Sequence, residues 1–446
     1  MLQQLLAKLP ISDFKQHRAN FFEQMPNNSI ALFKAGSEVT RSNDTEFGFC
    51  QEKNFFYLTG FNEPEALLVM IKDEQGKEST VLFSLEKDEL HEIWHGRRIG
   101  QEKAKQVYGF DSAYELSEVD AFLPDYINGK AQLFFAFAHH DFASQVFSWI
   151  AQVKATFRTG GKAPSILKDS AEIIDELRLI KSDNEIAIIR QANIISGKAH
   201  QRAMQKTAVG KFEYQIEAEI LHEFARSGAR YAAYGTIVAG GDNANILHYT
   251  DNGDVLNDNE LLLIDAGGEL GGYAADITRT FPVNGKFSEE QKALYQLVLD
   301  AKNLAVNAIK PGMSFAKLNE LTNEFLTKGL LDLGILSGDL SELISEKVVK
   351  KYFIHGLGHW LGLDVHDVGS YHANSEREQH RPFEPGMVMT IEPGIYIPLN
   401  DTCVDEKWRG MGVRIEDNIV VTTQGFENLT QDAPDTIAEI EALMAK

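Results

Sequence analysis

The chain has 446 residues, with 43 Lys+Arg against 65 Asp+Glu and a formal net charge of −22. At about 150 residues per domain, that length predicts two or three domains with room for buried cores. A surface this negative repels phosphate backbones and no Lys/Arg block offsets it, so nucleic acid is excluded as a partner. Hydrophobic residues make up 43% and charged residues 24%, the balance of a soluble globular protein. No run of about 18 apolar residues occurs and the N-terminus lacks a secretion-signal pattern, so neither a membrane span nor export is predicted. The two cysteines, Cys50 and Cys403, cannot build a disulfide framework and fit a reducing cytoplasm.

In chain order, short apolar runs predict strands at Ile30–Phe33, Phe55–Thr59, Ala66–Ile71, Thr80–Phe83 and Gln132–Phe137. Amphipathic patterns predict helices over Glu89–Val107 and Phe142–Val153, with His139–His140 marking the start of the second. This mixture implies an α/β domain with a largely buried sheet. Turn formers at 158–164 then break the pattern and place a domain boundary near residue 175, giving domains 1–175 and 176–446. Ser182 followed by Glu185 is a capping-box signature that opens a long helix to about Gln205. A second helix is expected at Glu213–Arg226, then strands at Gly235–Ala239, Leu261–Asp265 and Tyr273–Val283. Helices at Glu289–Ile309 and Phe315–Leu333 follow, separated by Pro311–Gly312, and strands return at Val388–Glu392 and Gly412–Val421.

Four segments of the second domain carry the chemistry. An apolar strand ends in Asp265, a glycine-rich turn follows, and a second strand carries Asp276 eleven residues later. In an antiparallel hairpin those two acids converge on one face. His355-Gly-Leu-Gly-His359, with His366 and Asp367 beyond it, has histidines four apart, but its glycines disfavour a helix. The zincin motif also needs Glu after its first His, where Gly356 stands. A turn presenting several imidazoles is the better reading, with Asp364 and Asp367 capping or orienting it. Thr390-Ile-Glu392-Pro-Gly and Arg414-Ile-Glu416-Asp417 each set a carboxylate within an apolar strand pattern. Taken singly, each acid or histidine reads as an ordinary turn or core residue. Jointly they suit a pair of divalent cations, because several buried acids without a partner would oppose folding. Oxygen ligands with one imidazole favour Mn²⁺, with Co²⁺ or Zn²⁺ also accommodated.

These segments resemble the metal-binding motifs of the pita-bread metallopeptidases, in the aminopeptidase P (Xaa-Pro aminopeptidase) branch. Residues 28–72, with Arg41-Ser-Asn-Asp-Thr-Glu-Phe and Phe55-Phe-Tyr-Leu-Thr-Gly-Phe-Asn-Glu-Pro-Glu-Ala, resemble that branch's N-terminal domain. The resemblance implies an α/β (α+β) protein: an N-terminal mixed-sheet domain, then a C-terminal pita-bread domain like those of creatinase and methionine aminopeptidase. It implies that Asp265 is a terminal ligand, Asp276 and Glu416 bridge two divalent metal ions, and His359 and Glu392 complete the second metal's shell. His248 and His366 would lie beside the substrate, stabilising the tetrahedral intermediate or moving protons. His355 would line the same pocket, Arg414 would hold a neighbouring carboxylate or loop, and Thr278 would orient ligands. The implied reaction is attack of a metal-bridging hydroxide on the bond between an N-terminal residue and a following proline. Tyr396 is a candidate wall for the proline ring, with Trp94 a second. The implied partners are peptides with proline at the second position and further copies of the chain, as a dimer or tetramer.

The nearest alternative is prolidase, which shares the ligands but needs a cation for the free proline carboxylate; Arg377 and Arg381 are in the right stretch of sequence. The segment Trp408-Arg-Gly-Met-Gly-Val-Arg414 reads more like aminopeptidase P. Methionine aminopeptidase would leave the first 175 residues without a role, and non-catalytic pita-bread binding modules usually come with lost ligands. Creatinase-like hydrolases share the fold but not the metal set. Glu92-Ile-Trp94-His95-Gly-Arg97-Arg98 reads by default as the entry to an amphipathic helix. In the family's oligomers such a segment can approach a neighbour's site.

Overall fold

The computed structural model describes residues 8–373 and 379–445. The described chain divides into two compact units, Leu9–Arg178 and the remainder from Leu179 onward.

The first unit is built on a six-stranded mixed sheet. Its strands lie in the order Ser112–Glu115, Glu78–Ser84, Leu67–Lys72, Ser29–Lys34, Gln132–Phe135, Ile166–Asp169. Antiparallel pairing of Ser29–Lys34 with Leu67–Lys72 sets Ile30 opposite Ile71 and Leu32 opposite Val69, while Gln132–Phe135 lies parallel on the other side. Alternate side chains go to opposite faces, so Ile30, Leu32, Val69, Phe83 and Leu133 pack under the helices Val119–Ile127 and His140–Ala155. Trp149 sits in that core, with its indole N–H donated to Asp120 at 2.7 Å. Phe33, on the opposite face, meets Phe21 of the helix Ile11–Gln24 edge-on. Coverage of both faces explains why these strands read as continuous apolar runs.

Two expectations in this unit are corrected. The aromatic run at Phe55–Thr59 is a helix, Lys53–Thr59: Glu52 accepts the N–H of Phe55 as its N-cap and Gly60 ends it in the left-handed region at φ 64°. The single helix expected over Glu89–Val107 is two, Glu89–His95 and Gln101–Tyr108, separated by Gly96 and Gly100 at φ 89° and 75°.

The second unit begins with the helix Asp183–Lys206, whose capping box forms as expected: Ser182 Oγ accepts from Glu185 N, and Glu185 accepts from Ser182 N. It packs against Glu213–Ser227, and Glu289–Asn307 likewise packs against Phe315–Asp332. Ile237–Gly240, Leu261–Asp265 and Thr278–Pro282 form an antiparallel sheet, with Asp265 opposite Thr278. A second sheet joins Val388–Ile391, Asp417–Thr422 and Gly425–Asn428, and Gly394–Ile397 pairs with Met411–Arg414. The strand expected over Gly412–Val421 is therefore broken at Ile415 and Glu416, and that over Tyr273–Val283 at residues 275–277. Both breaks fall where an acidic side chain leaves the ladder.

Candidate active site

Asp265 ends the strand Leu261–Asp265, and Asp276 lies two residues ahead of the strand that pairs with it. The turn between them passes so close to the returning chain that a Cβ at Gly267 would overlap the carbonyl of Ala275. Tyr234 closes the gap: its hydroxyl is 2.5 Å from Asp265 Oδ1 and 2.5 Å from Asp276 Oδ1, so its one proton is shared between them. Burial and then the two aspartates raise this phenol well above its ordinary pKa, which keeps it a donor. Asn418 fixes the backbone of Asp276 from both sides, accepting its N–H at 2.9 Å and donating to its carbonyl at 2.6 Å. No spacing or motif marks Tyr234 or Asn418 in the sequence.

The segment 355–359 is not helical and runs beside the strand Val388–Ile391, held by Glu392 N to Leu357 O and Thr390 N to His359 O. His359 donates Nδ1–H to the Trp360 carbonyl at 3.0 Å, which turns Nε2 toward Asp276 Oδ2 at 3.4 Å and Glu392 Oε1 at 3.5 Å. Glu416 sits in the strand break, its N–H donated to Thr278 O and its Oε2 accepting from Thr278 Oγ1 at 2.7 Å. Ligand atoms of Asp276, His359 and Glu416 all lie within 4.8 Å of one another.

All five expected ligand residues line one cavity of about 440 Å³, together with His248, His355, His366 and Arg414. Arg414 is buried and fully engaged: Nη2 donates to Asp265 Oδ2 at 2.6 Å, Nε to Thr278 Oγ1 at 3.0 Å and Nη1 to the Tyr396 hydroxyl at 2.9 Å. That hydroxyl in turn donates to His355 Nε2 at 2.8 Å, while His355 Nδ1–H donates to Gly356 O. Both ring nitrogens of His355 are thereby used, and burial next to Arg414 lowers its pKa to about 4. His366 stands edge-on to His359 with ring centroids 4.3 Å apart, its pKa lowered by burial and by the His359 and His248 charges. The turn that carries it is tied down by a buried pair, Lys181 Nζ to Asp367 Oδ2 at 2.8 Å.

Tyr396 does not line the cavity: it stands behind Arg414 and His355, and the aromatic residue in the wall is Tyr371. Trp94 is 82% exposed on the helix Glu89–His95 of the first unit. Arg381 is not among the cavity-lining residues, and Arg377 falls outside the described residues.

The charge inventory decides what the cavity can hold. Burial, then the neighbouring carboxylates, push Glu416 well above its ordinary pKa, and the same causes raise Asp276. Burial outweighs His359 and Arg414 at Glu392 and lifts it to about 7. Four carboxylates and an imidazole thus converge, with Arg414 the only permanent counter-charge among the described lining residues. The raised carboxylates record mutual repulsion in a buried space, and an oxygen-rich donor set of this kind, once its protons leave, fits divalent cations.

A family model described as metallopeptidase family M24 matches residues 187–423, and one described as aminopeptidase P, N-terminal domain matches residues 14–134. The chain is 44% identical to the Xaa-Pro aminopeptidase of Escherichia coli, covering 98% of this chain and 99% of that protein. The chain belongs to the aminopeptidase P branch of the M24 metallopeptidases. The Haemophilus influenzae Xaa-Pro aminopeptidase is 45% identical over 98% of both chains. Among solved structures, Zn-substituted E. coli aminopeptidase P in complex with product superposes with a TM-score of 0.95 at 45% identity, covering 98% of each chain. The Pseudomonas aeruginosa aminopeptidase PepP gives 0.96 at 45% identity, over 98% of this chain and 99% of that one. The second unit thus has the pita-bread fold of the M24 family, preceded by an aminopeptidase P N-terminal domain, and divalent metal ions are this family's cofactor. The expected family, fold class and metal dependence are borne out.

Proposed function

We infer that the protein is a metal-dependent aminopeptidase that removes an N-terminal residue from peptides with proline in second place. One observation carries this reading: Asp265, Asp276, His359, Glu392 and Glu416, drawn from four separate stretches of chain, meet in one cavity with His248, His355 and His366. We assign the five as the ligands of two divalent cations, Mn²⁺ first, since four of the five offer carboxylate oxygen. When bound, the cations polarise the scissile carbonyl and lower the pKa of water. The acidic cluster holds the substrate's free α-amine, which restricts cutting to the chain terminus. His366, neutral at pH 7, and His248 face the reacting carbonyl from the wall and offer N–H donors to oxygen charge as it develops. Arg414 orients Asp265 and, through Tyr396, His355.

A prolidase would need a cation free to grip the proline carboxylate. Among the described residues, the one Lys or Arg lining this cavity is Arg414, and it is already bound on three sides, which favours longer peptides as substrates. The test compares turnover of an Xaa-Pro-Xaa tripeptide and an Xaa-Pro dipeptide by the Mn²⁺-loaded protein. Release of the first residue from the tripeptide supports the reading; cleavage of the dipeptide alone makes it a prolidase, and activity toward neither overturns it.

We place the domain boundary near residue 175 and the protein in the cytoplasm, a location that two exposed free cysteines and a charge of −22 suit. Among the described residues, no helix is long and apolar enough to cross a membrane. Leu90, Ile93 and Trp94 are 71%, 75% and 82% exposed on one helix face, an apolar stripe that a homo-oligomer would cover. A monomer by light scattering would reject that assembly.

A further inference from the structure

Glu416 lies where the chain leaves one strand, Met411–Arg414, before entering the next, Asp417–Thr422. Ladder hydrogen bonds do not fix it there, yet its backbone and carboxylate are all held by two consecutive residues. Thr278 takes the N–H with its carbonyl at 3.1 Å and gives its hydroxyl to Oε2 at 2.7 Å. Arg279 donates Nη1 to the Glu416 carbonyl at 2.6 Å. The guanidinium is buried and extends away from the cavity: Nη2 meets Asp417 Oδ1 at 2.8 Å and Ala433 O at 3.0 Å, and Nε meets Pro434 O at 3.1 Å.

The far side of Asp417 is closed by the same segment. Lys302 Nζ, 2% exposed, donates to Asp417 Oδ2 at 2.6 Å and also to Asp435. Tyr295 donates to the Asp435 carbonyl at 2.7 Å. Two buried cations and two acids thus balance, and the carbonyls of residues 433 and 434 take up the guanidinium N–H groups left over. A buried charge network of this kind holds its members in one geometry, because each group is costly to leave unpaired.

We infer that Arg279 is a positioning residue for the metal ligand Glu416, and that the C-terminal segment 433–435 completes its setting, making the metal centre dependent on a stretch remote from the cavity. Arg279 touches no reacting atom; it fixes the peptide plane from which the Glu416 side chain departs. A group that orients a ligand from behind shifts metal affinity by about 10- to 100-fold when removed. The inference rests on the assignment of Glu416 as a ligand.

The test is titration calorimetry of metal-free protein with Mn²⁺, alongside thermal melting of the same metal-free samples. Arg279→Lys keeps the charge beside Asp417, but one ammonium cannot also grip the Glu416 carbonyl and the two tail carbonyls. Weakening of Mn²⁺ binding by about 10-fold or more, beyond any change in metal-free melting, is the expected result. A lowered melting temperature with unchanged Mn²⁺ affinity would show a purely structural role and overturn it. Should Arg279→Lys not fold, Asp435→Asn is read by the same titration, and unchanged affinity there overturns the inference equally. Asp276→Asn separates the two levels: if it leaves Mn²⁺ binding intact, the metal-site reading falls and this inference with it. If it abolishes binding while Arg279→Lys does not weaken it, only the inference falls.

Discussion

Arg414 Nη2 lies 2.6 Å from Asp265 Oδ2, with the two side chains 4% and 14% exposed. Among the described residues, this pair supplies the one permanent positive charge lining a cavity that holds four carboxylates. Breaking a buried pair by removing one partner costs about 3–5 kcal/mol, since the remaining charge stays buried. Arg414→Met should therefore lower the unfolding free energy of the metal-free protein by that amount. Saturating Mn²⁺ should narrow the gap, because bound cations replace the lost counter-charge. Urea denaturation with and without Mn²⁺ measures both; an equal gap in the two states would mean that Arg414 contributes packing and not charge balance.

The aspartate pair was legible because an apolar strand ending in an acid, then a glycine-rich turn, admits few arrangements, and the hairpin register sets Asp265 opposite Thr278. His359, Glu392 and Glu416 were legible only jointly, through their motifs. Tyr234 and Asn418 were not, since a single polar residue in an apolar stretch carries no periodicity and gains its meaning only when the chain closes around it. The break at Ile415 and Glu416 is hidden for a similar reason: both residues continue the alternation of the flanking strands, while the hydrogen bonds that redirect them come from Thr278 and Arg279, well over a hundred residues earlier. Phe55–Thr59 misleads the other way, because aromatic residues favour strands and the cap at Glu52 decides for helix.

Metal binding should release protons at neutral pH. Burial disfavours a charged His359, but its hydrogen bond to Asp276 and the Glu392 and Asp276 charges outweigh that and raise it to about 9. In the metal-free protein His359 is protonated at pH 7 and must give up that proton to ligate a cation. Glu392, lifted to about 7, adds a further fraction. Affinity should therefore climb with pH up to about 9, and fall as pH drops below it. Calorimetry in two buffers of different ionisation enthalpy counts the protons; identical heats in both would exclude His359 as a ligand.

His200 is fully buried, donates Nε2–H to the Ala266 carbonyl at 3.0 Å, and is lowered from 6.5 to about 4 by its burial. The unfolded chain takes up a proton at the ordinary pKa while the folded one resists until about 4. The unfolded state thus holds more protons between those values, and stability present above pH 6.5 is lost as pH falls toward 4. The linkage amounts to about 2 kcal/mol at pH 5. His200→Gln keeps an amide for the carbonyl but does not titrate, so the stability difference between wild type and variant should shift in the variant's favour by that amount from pH 7.5 to pH 5. Parallel denaturation curves at the two pH values read it directly, and a constant difference would show that His200 does not drive the acid response.

The approach of Gly358 to the strand Val388–Ile391 gives the sharpest structural prediction. A Cβ there would overlap the carbonyl of Thr390 and crowd Phe315, and Thr390 is the residue whose N–H bonds His359 O and whose hydroxyl accepts the His359 N–H. Neither obstacle is a flexible side-chain end, so Gly358→Ala must push the 355–359 segment off the strand and carry the His359 imidazole away from Asp276 and Glu392. A displacement near 1 Å at a catalytic group costs about 100-fold in rate. The variant should keep its fold, since the helices and sheets of the unit do not depend on this contact, but should lose Mn²⁺ affinity and about 100-fold in kcat together. Gly356→Ala is the matched control, because a Cβ at Gly356 comes no closer than 4.0 Å to its nearest neighbour. Equal losses in the two variants would trace the effect to loop stiffness; a loss confined to Gly358→Ala would trace it to the displaced histidine.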